Sequence, residues 1–342
     1  MKYFIKNIVF ASMFTILFVI LLIHAQDTKY YALTGLNIWY QHMLPALLPF
    51  MILSGLMIDL KLDGYIIKPF RFIIRPLFQI SDGGIYTLFM GFLCGFPMGA
   101  KIAAMEYQEG NISQKEAEYL LCFCNNFGPA YYFSFICNNI YSQKLMLSGI
   151  FVLYVLPLLY GLLLRHSIYK NEDFCRQKDI HNDIHNDIHN DIYNYKNEKR
   201  KSGPSLKNLI TYTNSNIVKS LCQIGLLGGY MILCNMLMSA VLVFINHIPS
   251  LISPDTAKRL ETFFYCILEI SGGVLSIKSL HLSEAGSFVV AHAALAFNGL
   301  SCHLQTFHLI NDCPFSRKKY MLHKIILCSI TCILLFIFLK NK

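Results

Sequence analysis

Few residue types in this chain could bind or move a polar solute, and they cluster. The first cluster is Gly95-Phe96-Pro97-Met98-Gly99-Ala100-Lys101. Proline lacks an N–H donor and clashes with the preceding turn, so a helix seldom passes through it undisturbed. The second is Asn125-Asn126-Phe127-Gly128-Pro129, two amides beside another breaker. The third is Asn298-Gly299-Leu300-Ser301 with Gln305, polar groups around a flexible glycine. Glu269 stands inside an apolar stretch, where an acidic group costs about 2.5–3.5 kcal/mol on insertion scales. It reads as a proton or cation site, or as a group near a helix end or paired with a base such as Lys101. Unwound carbonyls, half-helix ends and polar side chains at membrane depth are how transporters bind solutes, and paired interruptions in two halves of a chain point to such a site. Gly91, Gly95, Gly99 and Ala103, four residues apart, also form a small-residue packing face.

Other chemistries find less support. A tandem repeat beginning Asp179-Ile180-His181-Asn182 places His181, His185 and His189 four residues apart. On a helix these would share a face and could hold a divalent metal, but Asp and Asn are weak helix formers, and a disordered low-complexity loop is the simpler reading. His292, His303 and His308 are spaced by eleven and five residues and do not share one helix face. The twelve cysteines include no C-x-x-C pair and mostly lie in apolar runs, as buried thiols do. No H-E-x-x-H, G-x-S-x-G or P-loop occurs, so neither enzyme activity, metal nor cofactor is expected.

The elements that must position these residues are membrane helices. Of the 342 residues, 55% are hydrophobic and 14% charged, against about 25% charged in soluble domains. The net charge of +9 comes from basic residues beside apolar runs, which suits membrane orientation rather than nucleic acid. Apolar runs at 8–23, 44–60, 84–104, 119–140, 145–164, 217–245, 260–277, 288–310 and 325–339 read as helices, since backbone in lipid must satisfy its own hydrogen bonds. Gly228-Gly229 is expected to break the long run at 217–245. Residues 61–80 mix Lys61, Lys68, Arg71 and Arg75 with large apolar side chains and read as a cytoplasmic interfacial helix. The polar stretch 165–207 is equally basic and should also be cytoplasmic. Three full crossings between them would place it outside. One of the runs 84–104, 119–140 and 145–164 therefore fails to cross, or crosses twice as a hairpin, and the runs holding Pro97 and Pro129 are the suspects. Ser113 and Glu116 have capping-box spacing, which predicts a helix start at Ser113.

Gly95-Phe96-Pro97-Met98-Gly99-Ala100-Lys101, Glu116-Ala117-Glu118 and Cys124-Asn125-Asn126-Phe127-Gly128-Pro129 resemble the signature of the YlbJ-type sporulation integral membrane proteins, built on the Gate or nucleoside-recognition domain. Leu268-Glu269-Ile270-Ser271-Gly272-Gly273 and Phe297-Asn298-Gly299-Leu300-Ser301 with Gln305 resemble a second Gate repeat. The resemblance runs from about residue 35 to the C-terminus, apart from the polar loop. It implies an all-α integral membrane protein, a polytopic helix bundle of two Gate-like halves with re-entrant or broken helices. The halves are expected at 1–164, with the first repeat over about 84–164, and at 208–342, joined by a low-complexity cytoplasmic loop at 165–207. The implied function is a sporulation-associated permease or channel-like component for a small polar or anionic solute in the cell or forespore membrane. A membrane scaffold recruiting other sporulation proteins is the alternative. The expected solute path comprises Gly95, Pro97, Lys101, Asn125, Asn126, Gly128, Pro129, Glu269, Asn298, Gly299, Ser301 and Gln305, and the expected partners are the lipid bilayer and the solute.

Overall fold

In the computed structural model, which describes residues 2–60, 62–137, 145–174, 206–246 and 253–340, every regular element is a helix. Helix α1 (Lys2–Ile23) precedes α2 (Ala25–Ile38), which passes through a π-type turn at Trp39–Met43 into α3 (Leu44–Asp59). Among the described residues six helical segments are long and apolar enough to cross a membrane: Lys6–Ile23, Ala25–Asp59, Met146–His166, Leu209–Ile245, Glu284–Leu309 and Arg317–Phe338. Their outer faces carry exposed Phe14, Phe18, Leu163, Phe244 and Phe336. Such surface is unfavourable in water and at home among acyl chains. The chain is a polytopic helical membrane protein.

The interfacial helix expected over 61–80 is α4 (Asp63–Phe78), which meets α5 (Asp82–Cys94) at 101°. The corner is built at Gln79, whose φ of 50° is left-handed, and at Ser81, whose hydroxyl accepts the Gly84 N–H at 3.1 Å. An Arg71–Asp82 ion pair closes it.

The breakers act as their chemistry demands. The run 84–104 divides into α5 and α6 (Met98–Gln108) at Gly95-Phe96-Pro97. The run 119–140 opens with α7 (Gln114–Leu121), loses helicity through Asn125 and Asn126, and resumes as α8 (Pro129–Tyr131) and a π-type turn at Tyr132–Cys137. The run 145–164 stays continuous through α9 (Met146–Ile150), the turn Phe151–Val155 and α10 (Leu156–His166). Ser113 caps α7 as its spacing predicts, accepting the Glu116 N–H at 3.2 Å. The Glu116 carboxylate, however, turns to the Ser81 N–H and hydroxyl, at 2.7 and 2.9 Å, so it ties α7 to α5.

Two expectations need correction. Gly228-Gly229 does not interrupt α11 (Leu206–Asn246), which runs unbroken for 41 residues. Gly228 instead makes room for the Trp39 ring, since a Cβ there would approach Trp39 Cε2 to 2.7 Å. Conversely, 260–277 is two helices, α12 (Pro254–Leu268) and α13 (Ile270–Ile277), split at Glu269. The chain ends with α14 (Glu284–Phe297), α15 (Gly299–Leu309) and α16 (Arg317–Lys340). The histidine repeat lies outside the described residues.

Contacts define two ends of the bundle. At one, Asn216 meets Asp59, Arg165 meets Gln79, Lys115 meets Glu172 and Lys319 meets Glu118. At the other, Thr28 meets Ser239, Tyr31 meets Glu261, and Leu145, Phe288 and Leu335 pack together. Helices α5 and α6 leave the first end and return to it, because Ser81 and Asn111 are bonded there. Helices α12 and α13 likewise fold back on each other, with Thr262 and Ser276 hydroxyls 2.7 Å apart.

Candidate functional site

Four interruptions meet in the middle of the bundle. At the first, Gly95 has a φ of 75°, a left-handed conformation that only glycine adopts freely. The Phe96-Pro97 bond is cis. At the second, the chain from Phe123 to Gly128 lies directly against the first. The Phe96 N–H donates to Asn126 O at 2.5 Å, and a Cβ on Gly128 would come 2.5 Å from Cys94 O. Gly91 and Gly99 each leave the same clearance for Cys124 O, so the small-residue face packs on this extended backbone. At the third, Glu269 caps α13 with its own carboxylate, accepting the Ser271 and Gly272 N–H groups at 3.1 and 2.8 Å. At the fourth, Asn298 and Gly299 are both left-handed, with φ of 77° and 75°, and this turns α14 into α15. Gly299 rests against the α12–α13 tip, where an added Cβ would meet Ile270 N at 3.3 Å.

Asn125 is the hub. Its side-chain oxygen accepts the Ala100 N–H at 3.3 Å and its amide donates to Thr306 Oγ1 at 2.9 Å. Its backbone carbonyl accepts from Asn298 Nδ2 at 3.1 Å and from Lys324 Nζ at 2.7 Å. Lys324 also donates to Asn126 Oδ1 at 2.8 Å. Thus α6, α15, α16 and two of the breaks converge on one fully buried asparagine. Lys324 is wholly buried and belongs to none of the ion pairs among the described residues. Sequence reasoning missed it, because it follows Arg317, Lys318 and Lys319 and passes for part of a basic flank. It stands immediately before the apolar run 325–339, and only the packing of α16 (Arg317–Lys340) shows that it is buried.

Two small cavities flank the hub. One, of about 30 Å³, is lined by Phe96, Gly128, Tyr131, Glu269, Ser271, Ser301 and Gln305 among others. The second, of about 20 Å³, is lined by Pro97, Lys101, Gln305 and His308 among others. Lys101 does not reach the interface. It is buried and donates to Met51 O at 3.3 Å. It does not pair with Glu269, whose third bond comes from Asn235 Nδ2 at 3.4 Å. Gln305 faces both cavities; its amide donates to Ser301 Oγ at 2.9 Å, while its buried carbonyl oxygen has no hydrogen-bond partner. Pro129 starts α8, from which Tyr131 donates to Ser271 Oγ at 3.0 Å. The structure therefore gathers ten of the expected path residues around the Asn125 hub and the Glu269 cavity, and sets Pro97 and Lys101 at the neighbouring cavity.

The histidines go separate ways: His292 bonds Tyr132 and Phe288, and His303 bonds Tyr320. Among the described residues no group of three His, Cys, Asp or Glu side chains could hold a metal ion.

Comparison with known proteins gives a sporulation integral membrane protein, YlbJ of Bacillus subtilis, which is 26% identical over 343 residues, covering 94% of this chain and 80% of that protein. The resemblance to the YlbJ type holds over nearly the whole chain. No family model and no solved structure matches.

Proposed function

We propose that this YlbJ-type membrane protein is a permease for a small polar or anionic solute, whose path runs through the meeting point of the four interruptions. The convergence on Asn125, with Lys324 buried beside it, carries the reading. Backbone that leaves helical hydrogen bonding at membrane depth survives only where protein or a water-filled cavity satisfies it. A buried lysine without a carboxylate is costly and marks a pathway more often than a scaffold. Lys101 and Lys324 give the centre a positive bias suited to an anion.

The order of elements supports two related halves. An α5–α6 hairpin, a broken crossing through α7 and α8, and the α9–α10 crossing match, in order, the α12–α13 hairpin, the broken α14–α15 crossing and α16. The hairpins enter from opposite ends, the arrangement of inverted-repeat transporters. Uptake of a panel of labelled organic anions and nucleosides into vesicles containing the protein tests the proposal. Flux that falls at least tenfold in Asn126→Ala and Lys101→Ala supports it. Flux unchanged in both removes the site, and absence of flux for every solute favours a membrane scaffold.

A further inference from the structure

The Glu269 cavity differs from its neighbour in one respect that selects a ligand. Its lining holds a carboxylate, two serine hydroxyls and the amide of Gln305, and contains no lysine, arginine or histidine. Lys101 and His308 line the other cavity. Gln305 stands between the two, about 5% exposed, with its carbonyl oxygen unbonded. A buried acceptor without a donor carries its full desolvation penalty, so this oxygen calls for a ligand. Glu269 supplies the cavity's carboxylate, which accepts from Ser271 N–H, Gly272 N–H and Asn235 Nδ2 and also has the Ser271 hydroxyl beside it. The cavity's otherwise apolar wall, which includes Cys94 and Cys302, is interrupted by side-chain oxygens of Glu269, Ser271, Ser301 and Gln305, and oxygens suit hard cations. The volume of about 30 Å³ holds two water-sized occupants at roughly 15 Å³ each, enough for a small ion and one water.

A file of polar side chains connects this cavity with one end of the bundle. Asn235 takes the Tyr265 hydroxyl at 2.5 Å, the Tyr265 ring packs edge-on against Tyr31 at 5.7 Å, and Tyr31 donates to the partly exposed Glu261 at 3.3 Å.

From this geometry we infer that the Glu269 cavity binds a small monovalent cation of the sodium class, held by the Glu269 carboxylate, the Gln305 carbonyl and the hydroxyls of Ser301 and Ser271. Binding stands by itself; the cation's role as a coupling ion for an anion near Lys101 rests on the permease reading. Because Gln305 faces both cavities, an ion drawing its carbonyl toward Glu269 would release its amide from Ser301 Oγ and turn it to the neighbouring cavity.

The test is thermal unfolding of the purified full-length protein at constant ionic strength, with sodium chloride replacing choline chloride. The midpoint should rise saturably with sodium. Glu269→Gln keeps an oxygen to cap α13 but removes the charge, and it should weaken the apparent affinity at least tenfold. Gln305→Leu should do the same, and Lys115→Ala should leave the affinity unchanged. If neither cavity variant folds, binding of radioactive sodium to the wild type at one ion per chain supports the site and absence of binding overturns it. A midpoint indifferent to sodium, lithium and potassium overturns it. So does sodium dependence that survives in both variants, or stabilisation by lowered pH alone, which would give the carboxylate a proton in place of an ion. Because this readout needs no flux, sodium binding without transport sinks the permease and spares the site, while transport without binding does the reverse.

Discussion

Lys324 and Asn125 occupy the same hub but should respond differently to substitution. Replacing a buried charge by an apolar side chain of similar volume is often neutral or stabilising, because a desolvated charge is no longer buried. We therefore expect Lys324→Met to unfold within a few degrees of wild type while uptake falls at least tenfold. A fall in both would make Lys324 a structural strut. Asn125→Ala removes the partner of the Ala100 N–H and of Thr306 and leaves a void among four elements. An unsatisfied buried group costs about 1–3 kcal/mol, so a loss of about 2–3 kcal/mol in a chemical denaturation series in detergent is expected. The two residues were unequally legible in the sequence. Asn125 stands beside Asn126 and Pro129, and that pattern announces itself. Lys324 can be seen only when the fold shows that α16 is already buried at its second turn, a property of packing that no local pattern encodes.

Helix interruptions obey local chemistry, which is why most were readable in advance. Pro97, Pro129 and Asn298 each break a run where proline's missing donor or a left-handed asparagine would place the break. Of the readings the sequence leaves open for Glu269, the helix end is the one observed: it is the cap between two helices, and backbone N–H groups supply what a basic partner would have supplied. Gly228 misled in the opposite direction, since a glycine can serve a neighbouring ring as well as a turn. The first break depends on Gly95, whose added Cβ would collide with Gly128 in a backbone conformation that resists side chains. Gly95→Ala should cost at least about 3 kcal/mol, through strain and clash together, and show as loss of folded protein by size-exclusion chromatography. Glu116 joins α7 to α5 in a way that depends on pH. Burial pushes its carboxyl up to about 7 against an ordinary value of 4.5, an effect opposed by the Ser81 bonds. Oε1 takes both Ser81 bonds and Oε2 has no hydrogen-bond partner, so a proton has a place to reside. The folded state thus holds the proton more tightly than the unfolded chain, and its contribution to stability is full below pH 4.5 and lost as pH rises through 7. Glu118 runs the other way: burial would raise its carboxyl, but bonds from Lys319, Ser316 and Gln114 hold it below the usual value, so its contribution is lost as pH falls. Wild-type unfolding midpoints should fall between pH 5 and 8, and Glu116→Gln should flatten that decline; an unchanged slope would remove Glu116 as its origin.

At the scale of the molecule, the same logic decides orientation. The end that holds α4 and the turns between α6 and α7 and between α15 and α16 carries Lys68, Arg71, Arg75, Lys115, Arg165, Arg317, Lys318 and Lys319. The opposite end carries fewer, Lys29, Lys258, Arg259 and Lys278, while acidic residues occur at both ends and count for little in orientation. Positive residues collect on the cytoplasmic side, so the first end should be cytoplasmic. The parity problem posed by the sequence then resolves without a third crossing. Helices α5 and α6 return to the end they left, the broken chain beyond α7 leads through α8 toward the opposite end, and α9–α10 crosses back, which brings Arg165 to the side of Gln79, where the two are bonded at 2.8 Å. Single cysteines on a background free of native thiols read this out. Glu109→Cys and Asp312→Cys lie in turns at the basic end, and Glu284→Cys lies at the start of α14, all at exposed positions. On intact cells a membrane-impermeant maleimide should label Glu284→Cys at once and reach the other two only after permeabilisation. Labelling of Glu109→Cys and Asp312→Cys from opposite sides would mean that α5 and α6 do not form a hairpin, and a solute path through their tip would have no geometry left to stand on.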